Sequence, residues 1–341
     1  MKPTVVPIGD LPSADYQGEA ASLDGNPVGV FVSPERDLVA KPGANGDSWF
    51  VISRLETSRG RIDLLVHINA AFPTSGVVGK TAVMASMLDA SNGRYSSEEQ
   101  DVPTDQCTFA TDKCEVITPI ATIRGDAAGL NIAGTWSKAG IACDITIVQA
   151  GPMLANAGVG LFPWFGGLTY HFALPTMTTT GTITIGGETL EVSGNSWLDR
   201  QWATAPRLLL DRPLTWAWFG LLFDDGTRIS CWDIMEEDRR HRFATILSPT
   251  GGHEVVTVEP TLERSSKRWT SPATGRVYPT RWELHLPQID GSLIVEADVP
   301  GQEFVSPVGA HRYEAAAAVT GTLRGRQLNG YGTIELRGVW T

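Results

Sequence analysis

The chain of 341 residues carries 27 lysines and arginines against 38 aspartates and glutamates, a formal net charge of −11. With this acidic balance, and with no basic run interleaved with aromatic residues, nucleic acid and anionic membrane surfaces are excluded as expected partners. The 36 glycines, 21 prolines and 19% charged residues are typical of an ordered, strand-rich chain rather than a disordered one.

The N-terminal stretch MKPTVVPIGDLPSADY has no apolar segment typical of a secretion signal, and no later apolar run approaches the roughly 18 residues of a membrane span. We therefore expect a cytoplasmic protein without membrane insertion. Four scattered cysteines do not predict a disulfide scaffold at this chain length. Cys107 and Cys114 flank six residues that suit a hairpin tip, so either a local disulfide or two free thiols fit this pair.

Short strand-like runs separated by turn signals fill the first half of the chain. They occupy residues 48–55, 61–69, 83–89, 114–117, 121–124, 130–136 and 141–149. This pattern predicts most of a barrel or a sandwich.

The stretch GPMLANAGVGLFPWFGG at residues 151–167 interrupts the strand pattern with glycines, prolines and an apolar interior. A connection this hydrophobic is expected to cover a pocket mouth or to form a contact between domains. A second set of strands follows, at residues 170–173, 181–185, 188–192, 215–223, 227–235, 242–247, 254–262, 281–286 and 291–297, with a final pair after them. Since the chain exceeds what one core usually organises, we expect an all-β fold with two domains, residues 1–165 and 166–341.

A β-hairpin is predicted at residues 181–192. Residues 182–185 alternate at the period of a strand, Gly186 and Gly187 supply a two-residue turn, and residues 189–192 return.

A dense polar and aromatic cluster follows this hairpin directly: Trp197, Asp199, Arg200, Gln201 and Trp202. Because an unpaired buried charge costs several kcal/mol, these side chains either pair with each other or face a cavity. Asp199 thus has two interpretations. It either forms an ion pair with Arg200 that locks the strand corner, or it is a partly desolvated acid with a raised pKa that exchanges a proton with a substrate.

The chain resembles a known family in four segments, which keep their order and spacing: SWFVISRLETSRGRIDLLVHI, TMTTTGTITIGGETLEVSGNSWLDRQW, TWAWFGLLFDDGTRISCW and GTLRGRQLNGYGTIEL. They are similar to the two-domain lipocalin-like family named for AttH and the carotenoid hydratase CrtC. GNSWLDRQW is the most specific element, and resembles the family signature Gly-x-Ser-Trp-x-Asp-Arg-x-Trp. One departure is that Tyr313 and Glu314 precede alanines 315–318, where the family commonly has a Tyr-Trp-Glu-Gly-like run.

The resemblance implies two lipocalin-like antiparallel β-barrels packed together, with a pocket at or between them. Members of the family include carotenoid and kievitone hydratases, and fungal cyclases that catalyse [4+2] cycloadditions on polyketide chains. The resemblance therefore implies a cofactor-free enzyme acting on a large apolar natural product. The six histidines show no metal-ligand spacing, so nothing in the sequence argues for a metal site.

An aromatic wall is predicted on the strand at residues 215–223. Trp216, Trp218 and Gly220 share one face, and the alternate residues form a second apolar face. Such a strand suits a position between a barrel interior and a partner domain, with a gap beside Gly220. The tryptophans either shape a polyene or polyketide substrate or simply fill the core.

Further candidate residues are less specific. Tyr170 and His171 begin the second set of strands on opposite faces, and are catalytic candidates beside Asp199, although a lone inward histidine is more often structural. Asp233 and Glu335 are acids within strands, which either hydrogen-bond a substrate or point outward. The remaining expected substrate contacts are Trp164, Phe165, Trp197 and Trp202.

Three functions fit these residues. A cyclase needs an apolar cavity that gathers a flexible chain, a hydratase needs a buried acid with a positioned water and a base, and a carrier needs only the cavity. The tryptophan-rich, acid-poor strands favour a cyclase over a hydratase. A monomer or a homodimer fits all three.

Overall fold

The structure, a computed structural model, describes residues 21–23, 26–73, 79–205, 214–236, 239–259 and 267–340. The predicted absence of a secretion signal concerns residues 1–16, and the end of the strand predicted at 254–262 concerns residues 260–262. Both stretches lie outside the described residues.

The fold is all-β as predicted, with 66% strand and 4% helix. One α-helix, α1, covers Pro34–Asp37. Short 3-10 turns lie at Thr104–Gln106, Asn156–Gly158 and Pro287–Ile289. In the described part of the chain, no helix has the length and apolar character needed to cross a membrane.

The first large sheet contains 13 antiparallel strands and follows a two-stranded ribbon of β1 (Ala21–Leu23) and β2 (Asn26–Val28). Its strands are β3 (Gly46–Thr57), β4 (Gly60–Ala71), β5 (Lys80–Asp89), β6 (Arg94–Pro103), β7 (Thr108–Phe109), β8 (Cys114–Ile117), β9 (Ala121–Gly125), β10 (Gly129–Trp136), β11 (Ile141–Gln149), β12 (Leu154–Ala155), β13 (Leu161–Trp164), β14 (Gly167–Ile185) and β15 (Glu188–Thr204). The main path runs β6-β5-β4-β3-β15-β14-β11-β10-β9-β8-β7, while β12 and β13 pair with β14.

The second sheet contains ten antiparallel strands. They are β16 (Thr215–Phe223), β17 (Arg228–Met235), β18 (Arg240–Leu247), β19 (His253–Val256), β20 (Lys267–Thr270), β21 (Val277–Leu286), β22 (Gly291–Ala297), β23 (Glu303–Phe304), β24 (Arg312–Leu323) and β25 (Arg326–Arg337). The main path runs β19-β18-β17-β16-β25-β24-β22-β21-β20, and β23 pairs with β24. Both sheets curl into half-barrels, consistent with two lipocalin-like domains.

The sheets do not divide at residue 165, where the sequence pattern placed the domain boundary. β14 pairs with β11 and β15 pairs with β3, so the long β14–β15 hairpin completes the first sheet. The chain passes to the second sheet only between Thr204 and Thr215. The hairpin turn itself is confirmed: Gly186 and Gly187 have φ values of 60° and 89°, as a two-residue type I′ turn requires.

Three hydrophobic clusters hold the molecule together. One fills the first half-barrel, one fills the second, and the third lies where the two sheets face each other. Residues 151–167 contribute Leu154, Phe162, Trp164 and Phe165 to this third cluster, which confirms the predicted contact between domains. The contact also has polar bonds, because the amide of Ala157 donates to Thr245 Oγ1 at 2.8 Å.

The four cysteines are all free thiols, so the local disulfide considered for Cys107 and Cys114 is not formed.

Gly194, the first residue of the GNSWLDRQW signature, is required by the close approach of β15 to β3. A Cβ atom at this position would collide with the backbone carbonyl oxygen of Arg54. We expect Gly194→Ala to lower the free energy of unfolding by about 1–3 kcal/mol, because two hydrogen-bonded backbones must separate to accept a methyl group. Chemical denaturation measures this cost, with exposed Thr180→Ala on the neighbouring β14 as the control. Equal stabilities of the two variants would contradict it.

Candidate active site between the two sheets

The alternation of β15 sorts the signature residues onto two faces. Leu198 and Trp202 point into the core of the first half-barrel, whereas Trp197 belongs to the cluster between the sheets. Ser196 is held by short hydroxyl contacts of 2.6 Å to both Ser53 and Thr179. The polar cluster is therefore partly self-paired and partly directed towards the second sheet.

Arg200 lies on the inner face and does not pair with Asp199. Its guanidinium forms an ion pair with Asp47, donates to the backbone carbonyl of Val39 at 2.6 Å, and lies 4.1 Å from the centre of the Trp49 ring. The side chain is fully buried. The predicted Asp199–Arg200 ion pair is therefore wrong, because successive strand residues point to opposite faces.

Asp199 instead contacts two residues on the outer face. Its Oδ1 accepts a hydrogen bond from Trp197 Nε1 at 2.9 Å, and lies 3.0 Å from His171 Nε2. The approach of His171 lacks the alignment of a hydrogen bond, and among the described residues neither nitrogen of its ring has a hydrogen-bond partner. The histidine is thus close to a carboxylate and retains capacity to bind another group.

A cavity of about 350 Å³ opens beside this pair, between the two sheets. The first sheet lines it with Ser48, Phe50, His67, Asn69, Lys80, Met84, Glu99, Asp101, Trp164, His171, Asp199 and Gln201, and the second with Trp216, Trp218, Trp232, Arg312, Glu335 and Arg337. The volume lies within the range of small-molecule sites.

Four tryptophans form one wall of the cavity. The ring centre of Trp164 lies 5.1 Å from that of Trp216 and 5.4 Å from that of Trp232, which in turn lies 6.1 Å from Trp218. This wall confirms that the strand β16 is apolar on both faces and lies between a barrel core and the facing sheet. The gap expected beside Gly220 does not exist, because the ring of Trp218 covers that glycine.

Glu335 is the acid of the second sheet that faces the cavity. Its Oε1 accepts a hydrogen bond from Trp216 Nε1 at 3.0 Å. Burial raises the pKa of Glu335, Arg312 and the Trp216 hydrogen bond oppose that rise, and the Asp199 carboxylate adds to it. The cavity therefore contains a carboxyl group that retains its proton at a higher pH than an exposed glutamate.

The cavity lining also includes two basic groups of the second sheet, Arg312 and Arg337, and a neutral histidine of the first sheet, His67. Burial and the neighbouring Arg312 lower the pKa of Arg337 to about 10. Burial, with Arg312 again contributing, holds the pKa of His67 well below its usual value. His67 Nε2 lies 2.8 Å from Ser48 Oγ, so the neutral ring and this hydroxyl form a polar pair at the cavity.

Several predicted site residues lie elsewhere. Tyr170 and Trp202 stack on each other, 5.0 Å between ring centres, in the core of the first half-barrel. Asp233 is fully buried and paired with Arg240 at 2.6 Å, on the face opposite Trp232 and the cavity. These three residues are therefore corrections to the predicted site.

Two other predicted contacts support the cavity from behind. Phe165 packs against Trp164 and Trp216, with ring centres 4.8 and 5.9 Å away. Trp197 reaches Asp199 through its indole N–H. The predicted residues that line the cavity itself are Asp199, His171, Trp164, Trp216, Trp218 and Glu335.

Sequence reasoning missed Phe50, His67, Glu99, Trp232, Arg312 and Arg337. Alternation is the signal for two of them, because Arg312 shares a face of β24 with Glu314, and Arg337 shares a face of β25 with Glu335. In the described residues, no group of three or more histidine, cysteine, aspartate or glutamate side chains is arranged to hold a metal ion.

Comparison with known proteins agrees with this architecture. A family model described as AttH-like matches residues 73–339. Kievitone hydratase of Fusarium solani subsp. phaseoli is 29% identical over 203 residues, which cover 57% of this chain and 56% of the hydratase. The alignment thus spans little more than half the length of that relative.

Two solved structures share the fold along nearly the whole chain. Kievitone hydratase from Nectria haematococca has a TM-score of 0.76 at 23% identity, covering 91% of this chain and 94% of its own. A putative AttH from Nitrosomonas europaea has a TM-score of 0.76 at 19% identity, covering 95% and 100%.

Proposed function

This chain belongs to the AttH-like family, and we propose that it is a hydratase that adds water to an alkene of a large apolar small molecule. The observation that carries the proposal is the composition of one cavity. A protonatable carboxyl group, Glu335, and a histidine–carboxylate pair, His171 with Asp199, face the same aromatic-walled space.

Hydration needs an acid for one alkene carbon and a base for the attacking water. Glu335 donates its proton to one carbon, and the oxygen of a water molecule bonds to the other carbon. His171, beside the Asp199 carboxylate, accepts the proton that this water releases. Return of that proton to Glu335 completes the cycle, with one water consumed and no net change in the protein.

The aromatic wall binds the substrate and stabilises the reaction. Trp164, Trp216 and Trp218 offer contact area to an apolar chain, which carries no charge for the protein to recognise. Cationic character that develops on the alkene is stabilised by the faces of aromatic rings. Exclusion of bulk water by this wall favours attack by one positioned water molecule.

The sequence favoured a cyclase over a hydratase because acids are scarce along the tryptophan-rich strands. Each strand contributes at most a few polar side chains to the cavity, but several strands from two sheets converge there. Glu99, Asp101, Asp199 and Glu335 all line the same space. The name of the relative found by sequence, a hydratase, points in the same direction.

A cycloaddition catalyst remains the second candidate, and the tryptophan wall is the observation that favours it. A preshaped apolar cavity can lower a barrier by holding the ends of a flexible chain together. Such a reaction needs no proton transfer, so Glu335 and His171 would act only on the shape of the cavity.

Mass spectrometry of the products separates these functions. The purified protein is incubated with kievitone, the compound in the name of the relative, and with linear polyenes. We expect a product heavier than its substrate by one water. An isomeric product would support the cyclase instead, and a retained but unchanged ligand would support a carrier.

A substitution at Trp216 tests the role of Glu335 as the acid and keeps an aromatic ring in the wall. Trp216→Phe removes the N–H that donates to Glu335, and this bond lowers the pKa of Glu335. Because the protonated acid is the active form, turnover is lost as pH rises through that pKa. We expect the alkaline limb of the pH profile of kcat to move to higher pH. Trp218→Phe, which removes a bond to Ser230 instead, should leave the limb in place.

A further inference from the structure

We propose that Glu314 is a positioning residue for this site, which shares a proton with Glu335 and keeps that acid supplied during turnover. The inference rests on the proposed hydratase function for its role in turnover. The sharing of the proton itself depends only on the arrangement of the two carboxyl groups.

The two carboxyl groups stand directly opposite each other on neighbouring strands. Glu314 of β24 pairs in register with Glu335 of β25, and Arg312 pairs in the same way with Arg337. Side chains at opposite positions of an antiparallel pair have Cβ atoms about 4.5–5.5 Å apart and point to the same face. This face is directed towards the first sheet, because Tyr313, Ala315, Ile334 and Leu336 on the other face belong to the core of the second half-barrel.

The charge count of this cluster leaves one carboxylate without a cation. Three carboxyl groups, on Glu99, Glu314 and Glu335, accompany the two guanidinium groups of Arg312 and Arg337. Arg312 lies 3.4 Å from Glu99 and 3.8 Å from Glu314. Burying an extra negative charge is costly, so one carboxyl group of the cluster retains a proton.

Glu314 is the group with the least compensation. It is 4% exposed, and its Oε2 has no hydrogen-bond partner among the described residues. Burial and Glu335 raise the pKa of Glu314 well above its usual value, against the opposing effect of Arg312 and Arg337. An unpartnered buried carboxyl oxygen is far less costly when the group is protonated.

The remaining described groups that face the pair do not neutralise it. Arg54 at the smaller cavity is paired with Asp63, and Lys80 at the larger one is paired with Asp101. Burial, with Arg312 contributing, holds the pKa of His67 well below its usual value. The hydroxyl of Tyr95 on β6 is buried near Glu314, and burial raises its pKa. From β15, Asp199 acts on Glu335 as a like charge. The shared proton therefore stays within the Glu314–Glu335 pair.

The pair also joins two cavities. Glu335 faces the large cavity, whereas Glu314 lines a smaller one of about 50 Å³ together with Ser86, Tyr95 and Gln302. The shared proton moves from Glu314 to Glu335 when the substrate binds, and Glu335 gives it to the alkene. The proton released by water in each turnover then refills the pair, so the proton balance closes.

Glu314→Gln tests this role through the pH profile. Two coupled groups that share a proton titrate in two steps, and the second proton leaves at a higher pH than either group alone would require. With glutamine at position 314, Glu335 titrates by itself. We expect the alkaline limb of kcat to move to lower pH by about one unit, which is a tenfold loss of activity on that limb.

A structural role for Glu314 would give a different result, namely lower activity or stability at every pH with the limb unmoved, and would overturn the proposal. Glu56→Gln, an exposed glutamate of β3, controls for the loss of a carboxyl group.

Infrared titration of the carboxylic acid C=O band provides a readout that does not depend on the reaction. We expect a protonated carboxyl band in the wild type that persists to higher pH than in Glu314→Gln or Glu335→Gln. Identical titrations of the three proteins would overturn the shared proton. If the band behaves as expected but no hydration occurs, the pair stands and the proposed function fails.

Discussion

Replacing Glu335 with glutamine is expected to lower turnover by roughly 10²- to 10⁴-fold, because it removes the one acid that the described part of the second sheet contributes to the cavity lining. The substitution keeps the shape of the side chain and leaves the amide able to accept the bond from Trp216. The melting temperature should therefore change little. Steady-state kinetics with thermal melts measure both quantities.

Glu56→Gln is again the matched control for this acid, since its side chain is exposed and is not part of the cavity lining. A Glu335→Gln variant with nearly normal turnover would remove this residue from the mechanism. If Glu335→Gln fails to fold, Glu335→Asp is the variant to measure, because it retains a carboxyl group on a shorter side chain. A folded but inactive Glu335→Asp would show that the proton must lie where the Glu335 carboxyl group holds it.

The second large effect is expected for Asp199→Asn. The neutral amide no longer provides a negative charge beside His171, so turnover should fall by about 10²-fold or more. Asp199 also raises the pKa of Glu335, and its loss should move the alkaline limb of the pH profile to lower pH. This shift is opposite in sign to that expected for Trp216→Phe.

The free energy of unfolding of Asp199→Asn distinguishes a role of Asp199 beside His171 from an ion pair with Arg200. Because Arg200 is held by Asp47, Asp199→Asn leaves the buried guanidinium paired and should cost little stability. Asp47→Asn is the matched comparison, since breaking a buried ion pair costs about 3–5 kcal/mol. A large loss of stability in Asp199→Asn, with normal turnover in the folded fraction, would assign Asp199 a structural role.

Local patterns in the sequence predicted a large part of this fold. Alternation placed Trp216 and Trp218 together on one face of β16, and the glycine pair at 186–187 marked the turn between β14 and β15. These features depend on residues that are close in the chain. Alternation alone also places Asp199 and Arg200 on opposite faces, which is the physical reason that they do not pair.

Pairing between distant strands could not be predicted in this way. The sequence gives no local sign that β15 pairs with β3, about 140 residues away, so the domain boundary was placed too early. β6 was missed because its residues are mostly polar, yet Glu99 of that strand lines the cavity.

The site was predicted only in part for the same reason. Tyr170 and His171 were equal candidates from the sequence, and only the packing of β14 shows that the histidine faces the second sheet while the tyrosine is buried on Trp202. His67, Arg312 and Arg337 join the cavity from three different strands. A site assembled between two sheets leaves no compact motif for most of its residues.

Isotope incorporation shows whether the cavity between the sheets catalyses the addition of water to an alkene. The wild type is supplied with kievitone in water enriched in oxygen-18, and the product is analysed by mass spectrometry. We expect a hydrated product that contains one oxygen-18 atom from the solvent, formed at least about 100-fold more slowly by Glu335→Gln. Conversion of kievitone or a linear polyene to a product of unchanged mass, without solvent oxygen and equally fast in Glu335→Gln, would contradict it.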